Sequence, residues 1–145
     1  MFNSAASAPF NRPQHFANAY RQIDVETGVA SASPHHLVLM LYDGLLESVA
    51  RARAAMVAGA VELKGAQICR AVRILDEGLI AGLDMAAGGD LALNLRGLYS
   101  YAVDRLTWSN LRNDPTLLDE VERLMRPLRD AWVAIGAQVS DRAPA

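Results

Sequence analysis

The sequence predicts an all-α protein: an antiparallel up-down-up-down four-helix bundle with a short N-terminal helical cap. Three observations lead to this fold class. Apolar residues recur at spacings of three and four along four long stretches, which is the period of an amphipathic helix. No stretch alternates apolar and polar residues in the way a half-buried strand does. The connections between the four stretches are short, so consecutive helices are expected to be antiparallel.

The composition narrows the class of protein. The chain has 145 residues, which is enough for one domain, and it is 52% hydrophobic but only 6% aromatic. Its net charge of −2 makes nucleic acid an unfavourable partner, because phosphate binding needs a basic surface. The N-terminus lacks the basic and apolar regions of a signal peptide, and the single cysteine, Cys69, cannot form an internal disulfide. We therefore expect a cytosolic protein that does not insert into membranes.

The first part of the chain divides into two segments. Residues 1–13 are rich in Ser, Ala and Pro and are expected to form a disordered leader. Residues 14–30 are expected to form an N-terminal cap segment, because Phe16, Ala19, Tyr20 and Ile23 fall at helical spacing. Such a short helix needs a surface to dock on, since it is marginal alone.

The four-helix bundle is expected to span residues 31–139, and its first helix has the clearest beginning. Ser33 is a strong N-cap residue and Pro34 suits the first helical position. The helix is predicted to run from Pro34 to Ala58 and to stop at Gly59. Its early turns carry six consecutive apolar residues, Leu37 to Tyr42, which point in every direction and must be covered on more than one side.

The second and third helices follow the same periodicity. Helix two is predicted from Val61 to Leu83, with a stripe of Ile68, Val72, Leu75, Leu79 and Leu83. Gly88-Gly89 indicates a turn, so Asp90 is predicted to cap a third helix from Leu91 to Arg112.

Helix four repeats the opening of helix one. Asp114 is predicted to cap it and Pro115 to occupy its first position. The helix is predicted to reach Val139, with Pro127 causing a kink or the loss of one hydrogen bond. Residues 140–145 are expected to form a disordered tail.

The sequence gives little sign of catalysis. A di-metal bundle needs Glu-x-x-His pairs, and none is present. His35 and His36 are interpreted as exposed residues of the first helical turn, and Cys69 as a small apolar residue beside the core stripe. No glycine-rich phosphate loop follows a strand. We therefore predict no enzyme, no metal and no cofactor.

Two stretches carry more apolar residues than a bundle helix requires. One is Leu37 to Tyr42, and the other begins with Leu91, Leu93 and Leu95. A thick core explains such an excess, and so does an exposed groove for a partner's amphipathic helix. The helical glycines Gly44 and Gly97 permit close approach, either by a partner or within the bundle.

Several blocks of the sequence resemble one protein family. Ser31-Ala32-Ser33-Pro34, followed by Met40-Leu41-Tyr42-Asp43-Gly44, is similar to the opening of the flagellin-export chaperones, the FliS family, with Ser31 where Thr is usual. Ala19-Tyr20 resembles the family's short N-terminal element, and the family's later blocks have counterparts in Gly88 to Leu95, Leu98 to Tyr101, Asn110 and Ala131-Trp132. The blocks occur in the family's order, and the resemblance covers nearly the whole chain.

The resemblance implies a function. Chaperones of this family bind the C-terminal helical segment of flagellin in the cytosol and prevent its premature polymerisation. They also aid its delivery to the flagellar type III export apparatus, where the chaperone–client complex meets a component of the export gate.

A set of partner-binding residues follows from the resemblance and the apolar excess. In helix one they are Met40, Leu41, Tyr42 and Asp43, and in helix three Asn94, Leu95 and Tyr99. Tyr20 and Ile23 of the cap segment are expected to cover part of this surface until the client displaces them. Asp43 has an alternative role, which is to pair with an arginine of the same chain.

Other classes of function stay open at this point. A helical adaptor or regulator would bind another protein's amphipathic helix through the same groove. A small-molecule carrier would need an internal cavity with a few polar groups. A structural dimer would bury the extra apolar face against a second copy, and a weak homodimer is also compatible with the chaperone function.

Overall fold

The structure, a computed structural model, describes residues 33–142, with side chains to residue 137. The predicted leader, the cap segment with Tyr20 and Ile23, and the last three residues lie outside the described residues. The described part is an all-α bundle of four helices without strands, as predicted: α1 (Pro34–Ala58), α2 (Val61–Arg73, continued by a π-helical segment Ile74–Ile80), α3 (Met85–Arg112) and α4 (Pro115–Arg142). None of these helices is long and apolar enough to cross a bilayer.

The predicted beginning and end of α1 are confirmed. Ser33 Oγ accepts a hydrogen bond from the His36 amide at 3.1 Å, and Pro34 follows it as the first helical residue. Gly59 has a φ of 74°, a left-handed conformation that suits glycine and stops the helix.

The end of α2 differs from the prediction. The regular α-helix stops at Arg73, and the chain continues as a π-helix to Ile80 rather than as an α-helix to Leu83. A π-helix has hydrogen bonds between residues five apart, one more than in an α-helix.

The start of α3 is also earlier than predicted. Asp84, not Asp90, is the N-cap residue, and its Oδ1 accepts a hydrogen bond from the Ala87 amide at 2.9 Å. The predicted break is present as a kink inside the helix, because Gly89 has the non-helical angles φ 55° and ψ −135°. The helix ends at Arg112, and Asn113 follows as its C-cap residue with a left-handed φ of 53°.

Helix α4 begins as predicted and ends three residues later than predicted. Asp114 Oδ1 accepts hydrogen bonds from the Thr116 amide and hydroxyl, at 2.9 and 2.6 Å, and these bonds lower the pKa of Asp114. The helix passes Pro127 and continues to Arg142, so residues 140–142 are helical rather than part of a disordered tail.

The four helices form a closed ring of neighbours. Helices α1 and α3 each pack against α2 and α4. Two ion pairs show the relative direction of α1 and α4. Asp43, early in α1, pairs with Arg129, and Arg53, later in α1, pairs with Asp119, which is earlier in α4. This is the order expected of antiparallel helices. The core between the helices is aliphatic and includes Leu41, Leu45, Ile74, Leu75, Leu79, Leu106, Leu118, Val121 and Met125.

Candidate functional site

The apolar run of α1 is part of the core. Met40, Leu41 and Tyr42, three of the predicted partner-binding residues, are all buried. Two glycines explain how α2 covers them so closely. A Cβ at Gly78 would lie 3.0 Å from Leu41 Cδ2, and a Cβ at Gly44 would lie 3.3 Å from Ile74 Cδ1. Gly44 therefore serves packing inside the bundle, and α1 is covered on more than one side.

Tyr42 and Tyr99 meet in the centre of the bundle. Their hydroxyl groups are hydrogen-bonded to one another, and their rings are tilted with centroids 6.4 Å apart. Burial raises the pKa of Tyr42 to about 12 and raises that of Tyr99 well above its ordinary value. Both hydroxyls are therefore protonated at neutral pH, and the pair joins α1 to α3 through the core.

The polar residue of the predicted set on α1 has a partner within the chain. Arg129 Nε donates a hydrogen bond to Asp43 Oδ1 at 2.8 Å, and the Asp43 side chain is half exposed. The alternative role for Asp43, pairing with an arginine of the same chain, is thus what the structure shows.

The predicted residues on α3 lie at three depths. Asn94 is exposed, Leu95 is half-buried against the core, and Tyr99 is completely buried. The described part of the predicted set therefore contains only two exposed side chains, Asp43 and Asn94. Its role in partner binding stays a prediction.

An open apolar groove lies elsewhere, between α2 and α3. We call it the α2–α3 groove; its volume is about 410 Å³, and it is lined by Ile68, Cys69, Val72, Arg73, Thr107, Asn110 and Leu111. Ile68 and Val72 form its apolar floor, since the first is buried and the second packs against the core. Leu111 stands at its rim with 70% of its surface exposed. Leu111 therefore adds apolar surface at the edge of the groove.

Several polar groups around the α2–α3 groove have partners within the chain. Thr107 Oγ1 donates to the Val103 carbonyl at 2.9 Å, and Arg73 Nε donates to Glu77 Oε2 at 3.1 Å. The Asn110 carbonyl accepts a hydrogen bond from Lys64 Nζ at 3.3 Å. What the groove offers a ligand is therefore mainly apolar surface, which suits the side chains of an amphipathic helix.

Cys69 belongs to this groove and is exposed. The expectation that it would behave as a small residue beside the core is wrong, because the stripe of α2 passes through the neighbouring Ile68 and leaves position 69 on the outer side. The thiol is thus placed in the lining of the groove and is open to solvent.

A second groove lies between α1 and α2 near their connecting turn. Its volume is about 530 Å³, and its lining consists of Arg51, Ala54, Ala55, Ala58, Ala60, Leu63 and Gln67. Alanines make up four of its seven lining residues, whereas the α2–α3 groove is lined by the branched side chains of Ile68, Val72 and Leu111. We therefore favour the α2–α3 groove as the candidate site.

His35 is not the exposed residue that was predicted. Its ring stacks on Trp132 with centroids 4.4 Å apart, and the Trp132 indole N–H donates to the His35 carbonyl at 2.9 Å. Its Nε2 is buried without a hydrogen-bond partner, and burial lowers the pKa of the imidazole. The prediction for His36, in contrast, is confirmed, because that side chain is exposed.

Sequence reasoning did not identify the residues of the α2–α3 groove as a site. Leu111 and Trp108 carried a usable signal, because both are large apolar residues off the core stripe of α3. The sequence contains no signal for the groove itself, since the groove depends on the distance between two helices. Among residues 33–142, no three His, Cys, Asp or Glu side chains come together in a way that would hold a metal ion.

Comparison with known proteins gives a consistent result. Residues 16–139 match the FliS family, described as flagellar protein FliS. The flagellar secretion chaperone FliS of Salmonella typhimurium is 45% identical over 122 residues, which cover 84% of this chain and 90% of that protein. The protein of the same name from Escherichia coli is 46% identical over 114 residues, 79% and 84% of the two chains. That from Bacillus subtilis is 33% identical over 125 residues, 86% and 89% of the two chains.

Proposed function

The chain belongs to the FliS family of flagellar secretion chaperones, and from this membership we propose that it binds the C-terminal helical segment of flagellin in the cytosol. Binding keeps the client from polymerising early. The complex then meets a component of the export gate and delivers flagellin to the flagellar type III export apparatus.

The α2–α3 groove is the observation that carries this proposal. A disordered client segment loses conformational entropy when it folds on a chaperone, so it needs apolar surface to offset that loss. The groove supplies such surface through Ile68, Val72 and Leu111, on two rigid helices. An amphipathic client helix would place its apolar face in the groove and its polar face in solvent.

The residues predicted from the sequence have supporting roles in this proposal. Asp43 and Asn94 are exposed and are available as polar contacts along the client's path. Met40, Leu41, Tyr42 and Tyr99 lie beneath the surface and hold the helices in place. Tyr20 and Ile23 act in the cap segment, which covers client-binding surface until flagellin displaces it. Deletion of residues 1–25 should therefore raise the affinity for flagellin, and an unchanged affinity would remove the support for the cap.

Calorimetry of the full chain against the C-terminal segment of flagellin from the same organism tests the proposal. We expect one-to-one binding with a large negative heat-capacity change, the signature of apolar burial with coupled folding. An amphipathic helix of unrelated sequence serves as the control client. Equal affinity for both peptides would favour the alternative function, a helical adaptor for other proteins, and absence of binding would contradict the chaperone function.

Two substitutions on α2 locate the client. Cys69→Asp puts a charge into the apolar groove, where an unpaired charge is costly to bury, and should lower the affinity at least tenfold. Ala66→Asp is the matched control, because Ala66 is exposed on the same helix and lies outside the groove. Equal affinities of the two variants would place the client elsewhere.

The native thiol gives an independent test without substitution. Cys69 is the only cysteine and it is exposed, so a thiol reagent should alkylate the free chain at one site. Saturating flagellin peptide should slow this alkylation at least tenfold. Alkylation at the same rate with and without peptide would exclude the α2–α3 groove as the client's binding site.

A further inference from the structure

Lys64 is a buried cationic side chain without a buried anion beside it. Only 7% of its surface is exposed. Its Nζ donates to the Asn110 carbonyl at 3.3 Å and to Asn113 Oδ1 at 3.1 Å, and no carboxylate between residues 33 and 137 forms an ion pair with it. The carbonyl end of α3 attracts the charge, but both acceptors are neutral and an ammonium has three N–H groups. Since lysine is rarely buried unless it is paired, this environment indicates a place for an anion.

A small pocket lies beside Lys64, where α1 ends, α2 begins and α3 ends. We call it the Lys64 pocket; its volume is about 200 Å³, and it is lined by Ala55, Met56, Gly59, Val61, Lys64 and Asn113. The N-cap residue of α2, Ala60, has no side-chain acceptor, so no side chain caps the first amides of this helix. Glu62, the acidic residue of the same turn, is exposed and lies outside the lining. The positive end of the α2 dipole therefore adds to the charge of Lys64.

The Lys64 pocket adjoins one end of the α2–α3 groove. Lys64 precedes Ile68, which forms part of the apolar floor of the groove, by one helical turn, so both residues are on the same face of α2. On α3, Asn110 lines the groove and Asn113 lines the pocket, and Lys64 Nζ bonds to both residues. A helix that fills the groove would therefore bring one of its ends to the pocket.

The cations at the two ends of the groove differ in their partners. Arg73 follows Lys64 by nine residues, or about 14 Å along α2, and its Nε donates to Glu77 Oε2 at 3.1 Å. The charge of Arg73 is thus compensated by a carboxylate, whereas that of Lys64 is not. A bound helix has partial negative charge at its C-terminal end, to which a free chain terminus adds a full charge. The Lys64 end of the groove therefore suits the C-terminal end of a client.

We propose that the Lys64 pocket binds the terminal α-carboxylate of the client, whose last helix lies in the α2–α3 groove antiparallel to α2. This inference rests on the proposed function, in which the client segment is C-terminal and therefore ends in a carboxylate. Lys64 Nζ donates its third N–H to this carboxylate, and Met56 and Val61 contact the last residue. A helix is about 10 Å across with its side chains, so so small a pocket admits the end of a chain and not a whole helix.

Two peptides that differ only at their last atom group test the proposal. The C-terminal segment of flagellin from the same organism is prepared as the free acid and as the C-terminal amide, and each is titrated into the full chain by calorimetry. The amide has no terminal charge and leaves Lys64 without an anion, so it should bind at least tenfold more weakly. A free acid extended by three glycines should bind as weakly as the amide, because its carboxylate is displaced from the pocket.

A substitution at Lys64 assigns the effect to its ammonium group. Lys64→Met removes the charge and keeps a long apolar side chain, so the acid and the amide should bind this variant equally. Arg123→Met is the matched control, because Arg123 is exposed on α4, outside the groove and the pocket. It should retain the tenfold difference between the two peptides. The comparison of peptides on the native chain needs no substitution, so it stands even if Lys64→Met does not fold.

The outcomes separate this inference from the proposed function. Equal affinities of the acid and the amide for the native chain would overturn the carboxylate site, while the binding of both peptides would leave the chaperone function intact. A difference that persists in Lys64→Met would assign the carboxylate to another group and overturn the role of Lys64. An equal loss of affinity for both peptides in Lys64→Met would mean that the ammonium meets an acidic side chain of the client instead of its terminus, which also overturns the proposal. Failure of both peptides to bind would contradict the proposed function itself.

Discussion

Two apolar regions of the chain have similar sequences but opposite environments. One lies where α1 contacts α2, and the other is the outer face of α3. Leu37 to Tyr42 on α1 lies under neighbouring helices, while Leu91 and Leu93 on α3 are open to solvent. Glycines occur in both regions. Gly44 and Gly78 face side chains of the opposite helix at contact distance, and Gly97 faces empty space. A glycine between two helices brings them together, whereas the same residue on an outer face leaves a notch.

The difference shows what an excess of apolar residues means in a small bundle. On α1 the additional apolar residues are buried, because α2 and α4 both pack against this helix. On α3 they remain at the surface, since α2 and α4 cover only the inner side. Whether an apolar residue is buried is therefore decided by how the neighbouring helices cover it and not by the local hydrophobicity.

Leucine truncations in the two regions should give the largest contrast. Leu41 is completely buried beside Gly78 of α2, so Leu41→Ala should lower the free energy of unfolding by about 2–5 kcal/mol. Leu93→Ala should change it by less than about 0.5 kcal/mol, because the side chain is exposed. Urea denaturation of the two variants measures both values. Similar losses would show that the outer face of α3 is buried in the protein in solution.

The tyrosine pair in the core should show strong coupling. Tyr42→Phe and Tyr99→Phe each leave one buried hydroxyl without its partner, which costs about 1–3 kcal/mol. The double variant removes both hydroxyls and should lose less stability than the sum of the two single changes. Additive losses in a double-mutant cycle would mean that the hydroxyls do not bond to each other.

Alanine at the two kinds of glycine should have effects of opposite sign. Gly78→Ala forces the new methyl group against Leu41 and should destabilise the chain by about 1 kcal/mol, the lower part of the overpacking range. Gly97→Ala meets no neighbour and should stabilise α3 by about 0.5–1 kcal/mol. Thermal unfolding of both variants measures the difference. Destabilisation by Gly97→Ala would mean that another part of the protein contacts the surface at Gly97.

The smallest effect is a pH dependence from the first turn of α1. Burial lowers the pKa of His35 below its value of 6.5 in the unfolded chain, so the unfolded state binds the proton more readily. His35 therefore destabilises the fold as the pH falls below about 6.5, until the folded-state pKa is passed. His35→Gln should flatten the stability profile between pH 7 and 5. Exposed His36→Gln is the control, and an equal flattening by both would contradict the assignment to His35.

Local signals account for most of the fold that sequence reasoning predicted. Ser33-Pro34 and Asp114-Pro115 define helix starts through caps that involve only neighbouring residues. The start of α3 was predicted too late, because Asp90 follows a glycine pair and has the same cap chemistry as Asp84. The π-helix of α2 has no local signal, since its hydrogen bonds depend on how the helix packs.

The site was less predictable than the fold, because it also depends on how the helices pack. The blocks that resemble the family include Tyr42 and Tyr99, whose hydroxyls bond to each other in the core. Recurring residues identify the family, but they do not separate packing from contact with a client. The α2–α3 groove depends on side chains from positions 68 and 111, which only the tertiary structure brings together.

Lys64 has a practical consequence for studying complexes of this protein. It is the only lysine of the chain, it is buried, and its Nζ donates to the Asn113 side chain at 3.1 Å at the end of α3. Every other cationic side chain is an arginine, apart from the histidines. Amine-reactive cross-linkers and dyes therefore have almost no side chain to attack on the folded protein. Complexes of this chain would escape lysine-based cross-linking, while carboxylate or thiol chemistry would capture them.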